Sequence, residues 1–140
     1  MYLLAIMDLY SRFIVGWSLS NTMEAKWVVD TLKVAIGRYG KPKIINSDQG
    51  SHFASDDYVN YVKSLKTVDI SMDGKGRAID NVFIERFFRT IKYEKFYLEH
   101  PETGTELYQV CSQFIHYYNE KRDHSSIGNI APVERYRKAA

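Results

Sequence analysis

The sequence predicts a mixed α/β domain in which helices cover a sheet. Three observations predict this class: two apolar, β-rich runs open the chain, helical and strand-like segments alternate through its middle, and two longer helical segments follow. The predicted order is β-β-α-β-α-β-α-α. A chain of 140 residues is the size of one domain, so we expect residues 1–140 to form a single domain.

The first two strands are predicted at 2–7 and 13–19, on either side of a short polar break. Two β-rich runs at this separation are typical of an antiparallel hairpin. Because the chain opens directly in a strand-like segment, without a cap or turn before it, we expect the first strand of the domain to be missing upstream. The edge left unpaired by that strand would favour association with a second chain.

The first helix is predicted at 24–39, where apolar residues recur at steps of three and four and Thr22 is the candidate N-cap. A short strand follows at 43–47. The same periodicities predict the later elements: a helix with Ser55 or Asp56 as its N-cap, a strand at 68–72, a helix at 79–97, an aromatic-rich helix at 105–119 and a short helix at 132–138. In the helix at 79–97 the residues expected to be buried are Val82, Phe83, Phe87 and Ile91. A glycine-containing loop at 73–76 precedes the first of the two long helices.

The composition narrows the function classes. The net charge of +2 is compatible with nucleic-acid binding without requiring it, although the positive charge is concentrated after residue 74. The single cysteine, Cys111, excludes an internal disulfide. No apolar run is long enough to cross a bilayer, so we expect a cytoplasmic protein without a membrane partner.

Two acidic residues stand where chemistry is common. Asp48 follows a predicted strand just before a glycine turn, and the carboxyl ends of strands are the usual site of chemistry in α/β sheets. Glu85 lies near the start of a helix that follows the glycine loop. Carboxylates of this kind suit Mg²⁺, which takes oxygen ligands. The alternative is structural: an Asp before Gly often makes a turn, and a Glu near a helix start complements the helix dipole.

Arg89 and Lys92 follow Glu85 by four and seven residues, so the three side chains share one helical face. Two cations beside a metal-binding carboxylate would suit the phosphates of a DNA strand. The alternative is a surface ion pair between Glu85 and Arg89.

Four ordered segments carry a resemblance to a known family. Residues 46–53 (NSDQGSHF) resemble the second-aspartate motif of the retroviral integrase superfamily, and residues 80–88 (DNVFIERFF) with Lys92 resemble its third-carboxylate helix as found in bacterial insertion-sequence transposases. Between Asp48 and Glu85 lie 36 residues, one more than is habitual in that family. Residues 3–17 resemble its second and third strands, and residues 117–136 its C-terminal signature, so residues 120–140 form the expected tail motif.

This resemblance implies an RNase H-like fold and an enzyme that cuts and joins DNA, with transposon ends and target DNA as substrates. It implies Mg²⁺ or Mn²⁺ as cofactor, homo-oligomeric assembly on DNA and a nucleoid-associated location in bacteria. By the same resemblance, Asp48 and Glu85 are the catalytic metal ligands. The implied DNA-binding residues are Arg89, Lys92, Asn81, Gln49 and Arg122.

The resemblance also places the family's first aspartate on the strand before residue 1. Asp8 matches the turn that ends the second strand, so we expect a turn residue there. With one ligand missing, the chain alone should bind metal weakly and have little strand-transfer activity. Two alternatives stay open: a degenerate, non-catalytic fragment that binds DNA or a partner, and an RNase H-like nuclease on RNA–DNA hybrids, which the tail motif disfavours.

Overall fold

The computed structural model describes residues 1–47, 55–72 and 82–139. It divides into two compact units: the first comprises Met1–Ile6 and Val15–Val82, and the second comprises Met7–Ile14 and Phe83–Ala140. The elements of the described residues are β1 (Tyr2–Met7), β2 (Ile14–Ser20), α1 (Ala25–Tyr39), β3 (Ile44–Ser47), α2 (Asp56–Ser64), β4 (Asp69–Met72), α3 (Val82–Ile91), a π-helical segment (Lys92–Phe96), α4 (Tyr97–Glu99), α5 (Gly104–Glu120), a 3₁₀ turn (Ser125–Ile127) and α6 (Pro132–Ala139).

The strands pair two by two within the described residues. β1 pairs with β2, and β3 pairs in parallel with β4, with Ile44 opposite Asp69 and Ser47 opposite Met72. The short connection between β1 and β2 permits only antiparallel pairing, as predicted. Parallel pairing of β3 and β4 requires a crossover, which α2 provides. Parallel and antiparallel pairing therefore both occur, as a mixed α/β class requires.

The core of the first unit lies between its two helices and its strands. α1 packs closely on β2, because a Cβ added at Gly16 would stand 3.0 Å from the Ala35 Cβ. The Ser18 and Thr31 hydroxyls share a hydrogen bond of 2.7 Å between the same two elements. The buried cluster consists of Val28, Val29, Leu32, Tyr58, Val62 and Val68. The apolar face predicted for the first helix is therefore the face that packs.

The two predicted N-caps have different outcomes. Thr22 is not the cap of α1: the helix begins at Ala25 after Glu24, whose side chain makes no capping bond, and the Thr22 N–H instead donates to Ser20 Oγ at 3.1 Å. Thr22 lies two residues before the N-cap position, so its side chain is not where a capping bond is made. At α2 the Ser55 hydroxyl accepts from the Tyr58 N–H, so the predicted cap is confirmed.

The helix predicted at 79–97 is described from Val82 and runs as α3, the π-helical segment and α4 as far as Glu99. A π-helical turn holds one more residue than an α-helical turn and is often found at functional sites. Phe87 and Ile91 are fully buried as predicted, whereas Val82 and Phe83 are only half-buried.

The core of the second unit is aromatic. Phe87 of α3 contacts Phe114 and Tyr118 of α5, with ring centroids 6.4 and 5.1 Å away. Cys111 is buried beside them in α5, and burial raises the pKa of its thiol to about 11. The predicted aromatic helix therefore supplies the core through one face, while Tyr108 and Tyr117 stay exposed.

The turn between β1 and β2 is fixed at both ends. Asp8 accepts hydrogen bonds from the Ser11 N–H at 3.0 Å and from the Ser11 hydroxyl, which confirms Asp8 as a turn residue. At the other end, the Asn119 amide brackets Ile14: its Oδ1 accepts from the Ile14 N–H at 2.8 Å and its Nδ2 donates to the Ile14 carbonyl at 3.0 Å. Asn119 is buried, so these bonds tie residues 8–14 to α5.

Candidate functional site

The structure describes four of the seven predicted site residues. Asp48, Gln49 and Asn81 lie outside the described residues, although Asp48 follows directly after Ser47, the last residue of parallel strand β3. The other four are Glu85 and Arg89 on α3, Lys92 at the start of the π-helical segment, and Arg122 just after α5.

Glu85, Arg89 and Lys92 are all exposed on the helical run that begins with α3. At about 100° per residue, Arg89 lies roughly 40° around the helix axis from Glu85. The ion pairs of the described residues are Lys95–Glu99 and Arg122–Glu94, so Glu85 and Arg89 do not form the pair that was the structural alternative. The Glu85 face thus offers an exposed carboxylate with two neighbouring cations.

A polar pocket of about 440 Å³ lies on a different face of the same helix. Four residues of α3 line it. Arg86 lies roughly 100° around the helix axis from Glu85, and Phe83, Phe87 and Thr90 lie roughly 140–200° from it. The charged and polar groups that define the pocket are Arg12, Arg86, Arg122, Tyr118, Asp123 and His124. We call this feature the arginine pocket.

Arg12 enters the arginine pocket from the turn between β1 and β2. Its backbone is left-handed, with φ at 66°, and its guanidinium lies 3.7 Å from the centroid of the Phe83 ring. Burial, with the nearby cations Arg135 and Arg86, lowers the pKa of Arg12. The Arg12 Nε is buried and has no hydrogen-bond partner among the described residues. Arg12 is therefore a partly buried cation, and its Nε–H donor has no partner among the described residues.

Arg122 lines the arginine pocket and not the Glu85 face. Its Nη2 donates to Glu94 Oε1 at 2.8 Å, which leaves the other guanidinium donors available because this group has five N–H bonds. Its side chain is 28% exposed. The prediction of Arg122 as a DNA contact stays untested, but the structure places it apart from the residues that it was expected to accompany.

His124 and Tyr118 form the inner wall of the arginine pocket. Their rings meet edge to face at 4.5 Å between centroids. Burial, followed by the charge of Arg122, lowers the pKa of His124, whereas burial raises the pKa of Tyr118 to about 12. Near pH 7 the wall is therefore a neutral imidazole and a phenol that keeps its O–H. Within the described residues the buried His124 Nε2 has no hydrogen-bond partner.

The rim of the pocket is a closed loop of the tail. The His124 N–H donates to the Ile130 carbonyl at 3.1 Å, and the Asn129 N–H donates to the His124 carbonyl at 2.9 Å. Gly128 has φ at 88° and Asn129 at 59°, the left-handed backbone that closes the loop. Ser126 and Asn129 are exposed on this rim, so the pocket opens to solvent.

The donor chemistry of the Glu85 face fits a divalent ion in part. Glu85 is an exposed carboxylate without an ion pair among the described residues, and Mg²⁺ takes carboxylate oxygens as ligands. Among residues 1–47, 55–72 and 82–139, no three His, Cys, Asp or Glu side chains cluster as a ready-made site. A complete ligand set for a divalent ion would therefore need carboxylates outside the described residues. Asp48 is the candidate for one of them.

The arginine pocket was not predicted as a site, although Arg122 was named from the tail motif. Arg12, Arg86 and His124 come from the turn, α3 and the tail, which are far apart in sequence. The available signal was that Arg12 and His124 belong to two of the segments that carried the resemblance. Sequence alone gave no reason to bring those two segments together.

The chain is similar to known proteins in sequence and in fold. The family model described as "Integrase core domain" matches residues 1–78, and a second model of that description matches residues 66–132. The chain is 37% identical over 137 residues to the transposase for insertion sequence element IS904 of Lactococcus lactis, covering 96% of this chain and 54% of the relative. It is 33% identical over 137 residues to transposase InsF for insertion sequence IS3A of Escherichia coli, covering 96% and 47%.

Among solved structures, the HTLV-2 integrase catalytic core domain in complex with magnesium matches with a TM-score of 0.71 and 21% identity, covering 96% of this chain and 82% of that one. This likeness confirms the expected fold, that of integrase catalytic cores, which is RNase H-like. The chain spans about half the length of the curated relatives. In the described part of the chain, no helix is long and apolar enough to span a membrane.

Proposed function

Because this chain belongs to the integrase core domain family, we propose that residues 1–140 are the greater part of the catalytic core of an insertion-sequence transposase, with 120–140 as its tail motif. Its reaction would be the cleavage and transfer of DNA strands at transposon ends and target DNA. The observation that carries the proposal is the match of 96% of the chain to a bacterial transposase at 37% identity. The Glu85 carboxylate, which is exposed and forms no ion pair with another described residue, is compatible with it.

We assign Asp48 and Glu85 as carboxylate ligands of Mg²⁺ or Mn²⁺. This pairing rests on the two sequence motifs and on the oxygen chemistry of both side chains. When bound, divalent ions in such sites activate the attacking oxygen and stabilise the leaving one in an in-line displacement. The magnesium complex of the HTLV-2 integrase core gives the cofactor assignment further support.

The cations near Glu85 would hold the DNA strand. Arg89 shares the exposed face with Glu85, and Lys92 continues it at the start of the π-helical segment. Their side chains would neutralise backbone phosphates and fix the position of the scissile bond relative to the Glu85 carboxylate. Gln49 and Asn81 are proposed as polar contacts in the same role. The protein would act as a homo-oligomer on DNA in the bacterial nucleoid.

The family resemblance calls for three carboxylates, and this chain supplies candidates for two. We propose that Asp8 is not a third, because its Oδ2 accepts two hydrogen bonds from Ser11 within the turn. We propose that the third is supplied by sequence upstream of residue 1, and that the 140-residue chain alone binds metal weakly and transfers strands little or not at all.

A nicking and strand-transfer assay with Mg²⁺ or Mn²⁺ tests these assignments. It would compare the 140-residue chain with a chain extended upstream to the length of the relatives, each with and without Glu85→Gln. We expect activity only in the extended chain, reduced more than about 100-fold by Glu85→Gln, since loss of even an outer-shell partner of a metal costs 10–100-fold.

Arg137→Gln provides the matched control, because Arg137 is an exposed cation of α6 that does not line the arginine pocket and does not belong to α3. Its activity should equal that of the parent chain. Activity that survives Glu85→Gln would contradict the carboxylate mechanism. Silence from the extended chain would instead favour the alternative of a non-catalytic fragment that binds DNA or a partner.

A further inference from the structure

The arginine pocket has more positive charge than its own structure uses. Arg12, Arg86 and Arg122 all line it, and Asp123 is the acidic residue among its lining groups. Outside that lining, Glu94 accepts one hydrogen bond from Arg122, while Asp8 and a further cation, Arg135, both act on the charge of Arg12. Like charges held together raise the electrostatic free energy of the empty pocket, and an anion bound among them would lower it.

Two unused polar atoms point to a ligand. The Arg12 Nε and the His124 Nε2 are both buried, and neither has a hydrogen-bond partner in the described part of the chain. A buried donor or acceptor without a partner costs about 1–3 kcal/mol, so such atoms are uncommon unless a ligand or water completes them. Burial also keeps the Tyr118 O–H protonated, so this hydroxyl can donate a hydrogen bond beside them.

We propose that the arginine pocket binds a phosphate group of a DNA strand, at a position separate from the carboxylate face of α3. Guanidinium groups suit phosphate oxygens because their N–H donors form parallel, bidentate bonds. The pocket opens to solvent beside the exposed residues Arg86, Ser126 and Asn129, so a strand can reach it from outside. Assignment of the phosphate to DNA rests on the proposed function.

The position of the pocket defines its role. Its lining residues on α3 lie roughly 100–200° around the helix axis from Glu85, so a phosphate bound there would be separate from the one that is cleaved. α3 would thus contact DNA on two sides, through Arg89 and Lys92 near the reaction and through the arginine pocket elsewhere. The second contact would contribute to affinity and to the path of the strand, not to the chemical step.

DNA binding at several salt concentrations tests the proposal, measured by fluorescence anisotropy on the 140-residue chain without divalent metal. Arg86→Gln and Arg122→Gln each remove one pocket cation, and Arg137→Gln is the control with the same charge change outside the pocket. Each pocket variant should lower the slope of log affinity against log salt by about 1. One phosphate contact changes the affinity roughly eightfold between about 1 M and 0.1 M salt. Each pocket variant should therefore bind DNA roughly eightfold more weakly than the parent chain at about 0.1 M salt.

The two pocket variants complement each other. Arg86 is exposed and its only described ring contact is with Phe83 at 5.8 Å, so Arg86→Gln carries little risk to folding. Arg122→Gln also removes the bond to Glu94 and needs a circular dichroism check. Pocket variants that bind like Arg137→Gln, with weakening confined to Arg89→Gln, would overturn the proposal.

A second measurement distinguishes free phosphate from the phosphate of a DNA strand as the ligand of the pocket. Titration with inorganic phosphate, followed by NMR of the His124 imidazole, should shift its resonances in the parent chain and not in the Arg86→Gln, Arg122→Gln double variant. A shift without any effect on DNA affinity would support the phosphate site and overturn DNA as its source. No shift, together with unchanged DNA affinity, would overturn the site itself.

Failure of the proposed function would look different. If the extended chain cuts DNA in a Glu85-dependent manner while the pocket variants bind normally, only the pocket inference falls. If pocket variants lose DNA affinity while no cleavage is found, the phosphate contact stands and the catalytic assignment falls.

Discussion

The two faces of α3 differ in how they are built. The Glu85 face is made by one helical run, with Glu85, Arg89 and Lys92 at steps of four and three residues. The arginine pocket is made by parts of the chain that are distant in sequence: the turn that carries Arg12, the pocket side of α3, and the tail that carries His124. The first can be recognised from spacing alone, whereas the second requires the tertiary fold.

Their chemistry differs in the same way. Side chains on the Glu85 face are exposed, and solvent screens their charges. In the pocket, burial lowers the pKa of Arg12 and His124, so charges and polar atoms there are only partly compensated. The exposed charges of the Glu85 face would contribute separately to DNA affinity, whereas the partly buried groups of the pocket would all respond to one bound anion. Variants that affect one face without the other would test this difference.

The largest expected effect comes from the core that both faces share. Phe87 is 1% exposed and packs on Phe114 and Tyr118, so Phe87→Ala should lower the free energy of unfolding by roughly 3–5 kcal/mol. Chemical denaturation monitored by circular dichroism measures it. Tyr93→Ala is the control: Tyr93 is 64% exposed on the same helical run, and its loss should cost less than about 1 kcal/mol. Equal losses for the two variants would contradict the described core.

A smaller effect should separate the two faces. Asn119→Ala removes both bonds to the Ile14 backbone, and a buried backbone group left without a partner costs about 1–3 kcal/mol. Because those bonds hold residues 8–14 to α5, this variant should also weaken phosphate binding in the arginine pocket. Gln113→Ala, at an exposed position of α5, serves as the control. Full stability of Asn119→Ala in urea denaturation would show that the bonds do not hold the turn.

The smallest effect should appear as a pH dependence of stability. Burial lowers the pKa of His124 below that of the unfolded chain, about 6.5. Above that pH both states are neutral; as the pH falls through 6.5 the unfolded chain takes up the proton first, so stability decreases until the folded pKa is passed.

The melting temperature should therefore fall between pH 7.5 and pH 5, and fall less in His124→Gln than in the parent chain. His116→Gln, on the exposed side of α5, controls for removal of a histidine as such. An identical slope in His124→Gln and the parent would contradict a buried, neutral His124.

Most of the fold was accessible from the sequence because its elements are short, periodic and bounded by turn residues. The apolar stripe of α1, the Ser55 cap and the alternation of β and α segments are local properties, and the structure confirms them. The cap at Thr22 was wrong because the helix begins at Ala25, with Glu24 and not Thr22 at the N-cap position. The π-helical turn at Lys92–Phe96 has no marker that periodicity detects.

In the candidate site too, local features could be predicted and long-range contacts could not. Glu85 and its cations follow from helical spacing, and the structure keeps them on an exposed face. The position of Arg122 did not follow, because its bond to Glu94 spans 28 residues and nothing in either segment specifies the other. Asp48 as a metal ligand, with Gln49 and Asn81, stays a prediction from the motifs.

The bond pair between Asn119 and Ile14 also bears on how the chain can be divided. The second unit takes residues 7–14 from one end of the sequence and residues 83–140 from the other, so the chain passes from one unit to the other three times. A protein cut once, at any point, cannot release either unit intact. A fragment of residues 83–140 expressed alone would lack both Arg12 and the backbone partner of Asn119. Supplying a peptide of residues 7–14 in trans would be the route to reconstitute it.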